Sequence, residues 1–188
     1  MHDLVVSTYT PSLKALKYAR GRATTQYLRR TKLGDQGQGK ALLVAMTKTP
    51  GISESSDLPN ALTEVEAVKH ELENTIMCKL LYHPNSTAVK AQLKDANIVI
   101  FACHSQADPK DPSFSSILLQ DCLIKPPRFS VRTILSSEME DCELVYLSSC
   151  ESSANKNLTL ANEGINIAGG FHMVGVPHTV SRDVAAGG

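Results

Sequence analysis

His104 and Cys150 are the residues of this chain best suited to chemistry, because each stands at the end of an apolar run. Residues 97–103 read Asn-Ile-Val-Ile-Phe-Ala-Cys and lead into His104, and residues 143–149 lead into Cys150. Such short continuous runs predict strands buried on both faces. If the two strands are parallel neighbours, both side chains emerge on one rim of the sheet. A cysteine nucleophile needs an imidazole beside it, to lower its pKa or to take its proton. Taken singly, each residue has a plainer explanation. A cysteine at a strand end is ordinarily a small buried hydrophobe, and a histidine after a strand is ordinarily a satisfied structural side chain. Zinc ligation by Cys103, His104 and Cys150 is a further alternative, although no paired CxxC or HxxxH spacing accompanies them.

The elements that must position the pair follow from periodicity. Residues 4–7 are β-like. Pro11 and Ser12 open a helical pattern carrying Leu13, Leu16, Ala19 and Ala23. Residues 31–40 are rich in Gly and Gln and read as a linker. The run 41–46 predicts a strand buried on both faces. Asn60 is placed to cap a helix with Leu62, Val65, Val68, Leu72 and Ile76 on one stripe. Residues 79–82 form a short strand, and Ser86 is placed to cap the next helix, which turns Val89 and Leu93 inward. A polar loop is expected over 105–116, then a small hairpin of 117–119 with 123–124. A helix is expected over 130–139, another over 163–173, and a last strand within 174–180. Apolar strands alternating with amphipathic helices predict an α/β fold with a mainly parallel sheet. In such sheets, sites form beyond the carboxyl ends of the strands.

Composition narrows the class. The chain has 188 residues, enough for one domain, and a chain of that size buries roughly 70% of its unfolded surface. Lysine plus arginine and aspartate plus glutamate each number 19, for a net charge of zero. That balance gives no basic footprint for nucleic acid or a membrane surface. The acid-free stretch 14–32 is the exception and reads as a solvated helix face. The N-terminus lacks the pattern of a secretory signal, and no apolar run is long enough to span a bilayer. Five irregularly spaced cysteines fit free thiols in a reducing, cytoplasmic setting. Cys78, Cys122 and Cys142 are read as structural. Asp108 and Asp111 either orient a basic substrate side chain or cap turns in a solvated loop. His172 and His178 either line the site or lie on the surface. Gly34, Gly37 and Gly39 precede a strand, which is the wrong context for phosphate binding.

The wider pattern resembles the CHAT family of caspase-like domains, often associated with tetratricopeptide repeats. Residues 5–16 are similar to the family's opening strand and helix. Leu58-Pro59-Asn60-Ala61, followed by Glu64-Val65-Glu66-Ala67-Val68, is similar to its next helix. The histidine motif is Ile100-Phe101-Ala102-Cys103-His104, continued by Asp108, Asp111-Pro112, Ser115 and Leu118-Leu119-Gln120-Asp121. The cysteine motif is Leu147-Ser148-Ser149-Cys150-Glu151-Ser152, with Asn162-Glu163, Ile167-Ala168 and Val174-Gly175-Val176 beyond it. His104 and Cys150 lie 46 residues apart, which compares with about 50 in caspases, and the order excludes the papain arrangement. The resemblance implies a three-layer α/β/α sandwich over residues 1–188. Its opening strand and helix would lie in 1–30, its linker in 31–40 and its sheet core in 41–182. It implies a cysteine endopeptidase with Cys150 as nucleophile and His104 as general acid and base. The substrate would be a polypeptide, and neither metal nor organic cofactor is required. Ser105, Ser149, Asp108, Asp111 and Ser115 would belong to the oxyanion or substrate loops, with backbone amides near Ser105 and Cys150 as oxyanion donors.

The sequence also departs from the family. Ser105 stands where Gly is usual, which crowds the backbone beside an oxyanion donor. Ser149 replaces Ala, Glu151-Ser152-Ser153-Ala154 replaces a Glu-Thr-Ala run, and Asn162 replaces Asp. Pro177-His178 falls where the family tends to carry Trp, and the segment that closes the domain is expected to be missing. These changes favour an alternative from another class, a non-catalytic caspase-like module that docks or regulates partners. A different cysteine-dependent transferase or hydrolase on the same rim is a third reading.

Overall fold

A computed structural model describes residues 14, 17–22, 24, 39–108, 110–126, 128–148 and 163–181. The strand expected over 4–7, most of the linker, Ser149, Cys150, residues 151–154 and Asn162 lie outside the described residues. The run after the linker forms β1 (Lys40–Ala45). Further along the chain come β2 (Met77–Tyr82), β3 (Ile98–Ala102), β6 (Leu144–Leu147) and β7 (His178–Ser181). These strands make one parallel sheet in the order β2-β1-β3-β6-β7. The short strands β4 (Ser105–Gln106) and β5 (Ser116–Ile117) pair antiparallel at the rim.

Side-chain alternation divides the core between the two faces. Leu42, Val44, Val99, Phe101 and Leu147 face one way. There they pack with α2 (Ser86–Leu93), α3 (Val131–Leu135) and α4 (Glu163–Met173). Leu43, Ala45, Ile100, Ala102 and Tyr146 face the other way, against α1 (Ala61–Leu72). Helices on both faces of a parallel sheet make the three-layer α/β/α sandwich of a caspase-like domain. Phe101 sits at the centre of the larger cluster, 5.7 Å from the ring of Phe129 and 6.1 Å from that of Phe171. The helical pattern expected from Ser12 to Ala23 is helical at every described position. Its Arg22 donates to the carbonyls of Val174 (2.7 Å) and Glu140 (2.6 Å). Gly175 has φ +98, and a Cβ there would lie 2.5 Å from Arg22 Cδ, so only glycine suits this contact.

The sheet order contains a switch point. From β1 the chain runs outward to β2, then returns past β1 to β3 and continues to β6 and β7. The loop after β1 leads to α1 on one face, and the loop after β3 leads to α3 on the other. At such a switch point α/β sheets place their sites, beyond the carboxyl ends of the strands.

Some elements differ from expectation. Ser86 is the first residue of α2, and the cap is Asn85, whose Oδ1 accepts from Ala88 N at 2.9 Å. Asn60 precedes α1, but its side chain makes no capping hydrogen bond. Residues 117–119 do not pair with 123–124. Ser116–Ile117 pairs with Ser105–Gln106 instead, and residues 120–123 form a turn. The helix expected over 130–139 is confined to five residues. The core contact is the first target for testing. Phe101→Ala should destabilise the domain by about 3–5 kcal/mol in urea melts, whereas Met77→Ala, at a side chain 55% exposed, should stay within about 0.5 kcal/mol.

Candidate functional site

Register decides what the rim brings together. Phe101 of β3 pairs with Leu147 of β6, and Ser148 N continues the ladder to Phe101 O at 2.8 Å. On the other side Ala45 pairs with Ala102, and Met46 N bonds to Ala102 O at 2.9 Å. Three adjacent strands thus end level, and His104 and Ser148 leave the same rim. Ile98, Ile100 and Ala102 face α1, and His104 continues that parity. Cys103 has the opposite parity and lies in the larger core cluster, fully buried.

His104 is 3% exposed. Its Nε2 lies 2.6 Å from the main-chain carbonyl of Ser56. A carbonyl only accepts, so Nε2 carries the proton and donates. That bond keeps a proton on Nε2, so proton exchange by this ring would run through Nδ1. Ser56 ends a 3-10 turn (Glu54–Ser56), in which Ser56 N bonds to Ser53 O at 2.9 Å. The loop carrying it is pinned at its start. Thr47 N (3.2 Å) and Thr47 Oγ1 (2.8 Å) bond to Nε2 of His83, and Leu58 N bonds to Thr47 O at 2.9 Å. His83 holds the left-handed φ of +49 that this approach requires. Sequence reasoning missed both Ser56 and His83. A carbonyl has no residue signature, and nothing in the pattern around His83 announces a positive φ.

The other expected residues fall as follows. Ser105 opens β4, immediately after His104. Leu118 N bonds to His104 O at 2.8 Å, and Ile117 N turns outward to Phe129 O at 3.0 Å. The alternation of an antiparallel ladder therefore turns the Ser105 N–H away from β5. Asp108 accepts from the N–H groups of Lys110 (2.9 Å) and Asp111 (3.1 Å). Asp111 caps the next 3-10 turn through Ser113 N at 2.9 Å. Hydrogen bonds from Ser113 hold the Asp111 carboxyl below the usual carboxylate range, helped by the Arg132 guanidinium at 3.8 Å. Ser115 is fully buried and accepts from Asp108 N at 3.1 Å. These three residues brace the loop beside His104. Pro177 and His178 stand at the start of β7, and His178 pairs with Leu144 at the opposite rim. His172 is also remote from His104. It is 1% exposed rather than a surface residue, and its Nδ1 donates to Val176 O at 3.0 Å.

The four described cysteines are free thiols. Burial pushes all of them up from the ordinary value: Cys142 to about 12, Cys103 further, and Cys78 and Cys122 less. None is a thiolate near neutral pH. Among the described residues, no group of three or more His, Cys, Asp or Glu is placed to hold a metal ion.

Two outcomes follow from these contacts. Ser56→Ala keeps the carbonyl and should leave the reactivity of the rim unchanged. Ser56→Pro removes the N–H that closes the 3-10 turn and should lower it about tenfold or more, read as the His104-dependent alkylation rate of Cys150. Alkaline stability is the second. The unfolded chain ionises Cys103 and Cys142 near 9.0, well before the folded chain does. The unfolded state then binds fewer protons, so stability falls as pH rises above 9.0 toward about 12. The slope approaches about 1.4 kcal/mol per pH unit for each thiol. Urea melts across that range should show it, and Cys103→Ala or Cys142→Ala should flatten it.

Comparison with known families gives a match to the CHAT domain over residues 5–182. Comparison with curated proteins gives no match. The matched span includes His104, Cys150 and every strand of the parallel sheet, and the chain belongs to the CHAT domain family.

Proposed function

We propose that this caspase-like, peptidase-related module is a cysteine endopeptidase, with Cys150 as nucleophile and His104 as general acid and base. The observation that carries the reading is the buried His104 at the carboxyl rim, its Nε2–H bonded to a main-chain carbonyl. A ring so held offers Nδ1 for proton transfer. Cys150 follows Ser148 by two residues, and Ser148 leaves the rim beside His104. Two residues of chain reach at most about 7 Å.

In this mechanism His104 Nδ1 takes the thiol proton, and the Cys150 thiolate attacks the carbonyl carbon of a polypeptide. Backbone N–H groups at Ser105 and Cys150 receive the oxyanion. The imidazolium gives its proton to the leaving amine as the C–N bond breaks. Water, deprotonated by Nδ1, then hydrolyses the thioester and restores the thiol. No cofactor enters these steps. The four described free thiols suit a reducing, cytoplasmic setting. Among the described residues, no helix is long and apolar enough to cross a membrane. A tetratricopeptide-repeat region in a longer parent chain fits the family resemblance.

A second reading is a non-catalytic docking or regulatory module. It is favoured by the 3% exposure of His104 and by Ser105 at the position usually held by glycine. Cysteine mapping separates the two. Iodoacetamide at pH about 6 should modify Cys150 ahead of every other cysteine, because ordinary thiols are protonated there. His104→Ala should remove that selectivity and lower hydrolysis of a peptide library by about 10²–10⁴-fold. If Cys150 reacts no faster than Cys78 or Cys122, the peptidase reading fails and the docking module stands.

A further inference from the structure

We propose that one continuous segment, residues 46–64, holds both halves of the pair in register, with Glu64 as the positioning residue on the cysteine side. The proposal rests on the His104 and Cys150 reading and extends it. One end of the segment supplies Ser56 O to His104. The other end supplies Glu64, whose Oε1 accepts from Ser148 Oγ at 2.6 Å. Ser148 is 6% exposed and is the last described residue before Cys150. Charge-assisted bonds of this length are among the strong ones.

Glu64 lies in the first turn of α1, where the helix dipole favours a carboxylate. Among the described residues, no lysine or arginine pairs with it. Ser148 is its side-chain partner, so the bond is not diverted into a surface ion pair. The two anchor points are joined by a stiff path. Leu58 N bonds to Thr47 O (2.9 Å), Ala61 N to Leu58 O (3.0 Å), and Glu64 N to Asn60 O (2.9 Å). Tyr146 packs on the face that α1 covers, and Ser148 continues its alternation, so both contacts of the segment lie on the α1 side of the sheet. Among the described residues, the other hydrogen bond at this strand end is that of Ser148 N to Phe101 O. Loss of that side-chain anchor should let the cysteine drift from Nδ1, and the thiol should then ionise like an ordinary one.

The experiment follows Cys150 alkylation by iodoacetamide from pH about 5 to about 9, with thermal melts alongside, for wild type, Glu64→Ala, Glu64→Gln, Ser148→Ala and the Glu64→Ala/Ser148→Ala double variant. Glu64→Ala and Ser148→Ala should each slow the reaction at pH about 6 by about tenfold and move the profile toward that of an ordinary thiol. Glu64→Gln keeps an oxygen that accepts from Ser148 and should retain most of the rate. The double variant should be no slower than either single one, because both remove the same bond. A Glu64→Gln protein as slow as Glu64→Ala overturns the proposal, and so do variants with the wild-type profile. If Glu64→Ala does not fold, Ser148→Ala carries the same test. Absence of selective labelling in wild type sinks the dyad itself. Selective labelling in wild type with unaffected variants sinks only the brace.

Discussion

The level ending of three parallel strands is the constraint from which the rim is built. Backbone ladders join Ala45 to Ala102 and Phe101 to Leu147, and each extends one bond further, through Met46 N and Ser148 N. Side chains alternate with a period of two, so a one-residue slip in either ladder would move the whole set to the other face. His104 and Ser148 would then part, and Cys103 would leave the core for the rim. The apolar residues on both faces prevent such a slip. Val99 and Phe101 are buried on one side and Ile100 and Ala102 on the other, so each strand has one register that buries them all.

On this frame the two faces carry unequal loads. Among the described helices, three cover the face that holds Phe101, while α1 alone covers the face that turns toward His104. The heavier face supplies the aromatic packing and most of the buried apolar volume. The lighter face supplies polar contacts at its upper edge: a carbonyl for the imidazole and a carboxylate for the Ser148 hydroxyl. Stability and site geometry therefore draw on different layers, and a substitution in one need not disturb the other.

Much of this was legible in the sequence, for a physical reason. Residues 41–46, 98–103 and 144–147 are continuous apolar runs, and strands buried on both faces place such runs at low cost. Their ends mark the rim, and the second run sets His104 there. The spacing of Leu62, Val65 and Val68 fixed α1 in the same way. What could not be read depends on tertiary contacts. The hairpin expected at 117–124 lost to the pairing of Ser116–Ile117 with Ser105–Gln106, whose partner is close in space but not adjacent in sequence. Nothing local marks Ser136 as the end of α3, so the pattern predicts ten residues where five are helical. Asp108 and Asp111 had two readings, and only their contacts with Lys110, Asp111 and Ser113 show them capping turns. Ser56 was invisible because its contribution comes from a group that every residue possesses.

The two bracing contacts also have a history in chain order. Ser56 meets His104 across 48 residues, and Glu64 meets Ser148 across 84. Neither can close locally, and loops of that length form only after non-local strand pairing has repaid their entropy. The segment that carries both braces is made early, but it waits for β3 and then β6 before it has anything to hold. A chain that has collapsed around Phe101 without docking β6 would contain every residue of the rim and still lack its geometry. The full geometry of the rim is thus a property of the completed fold alone.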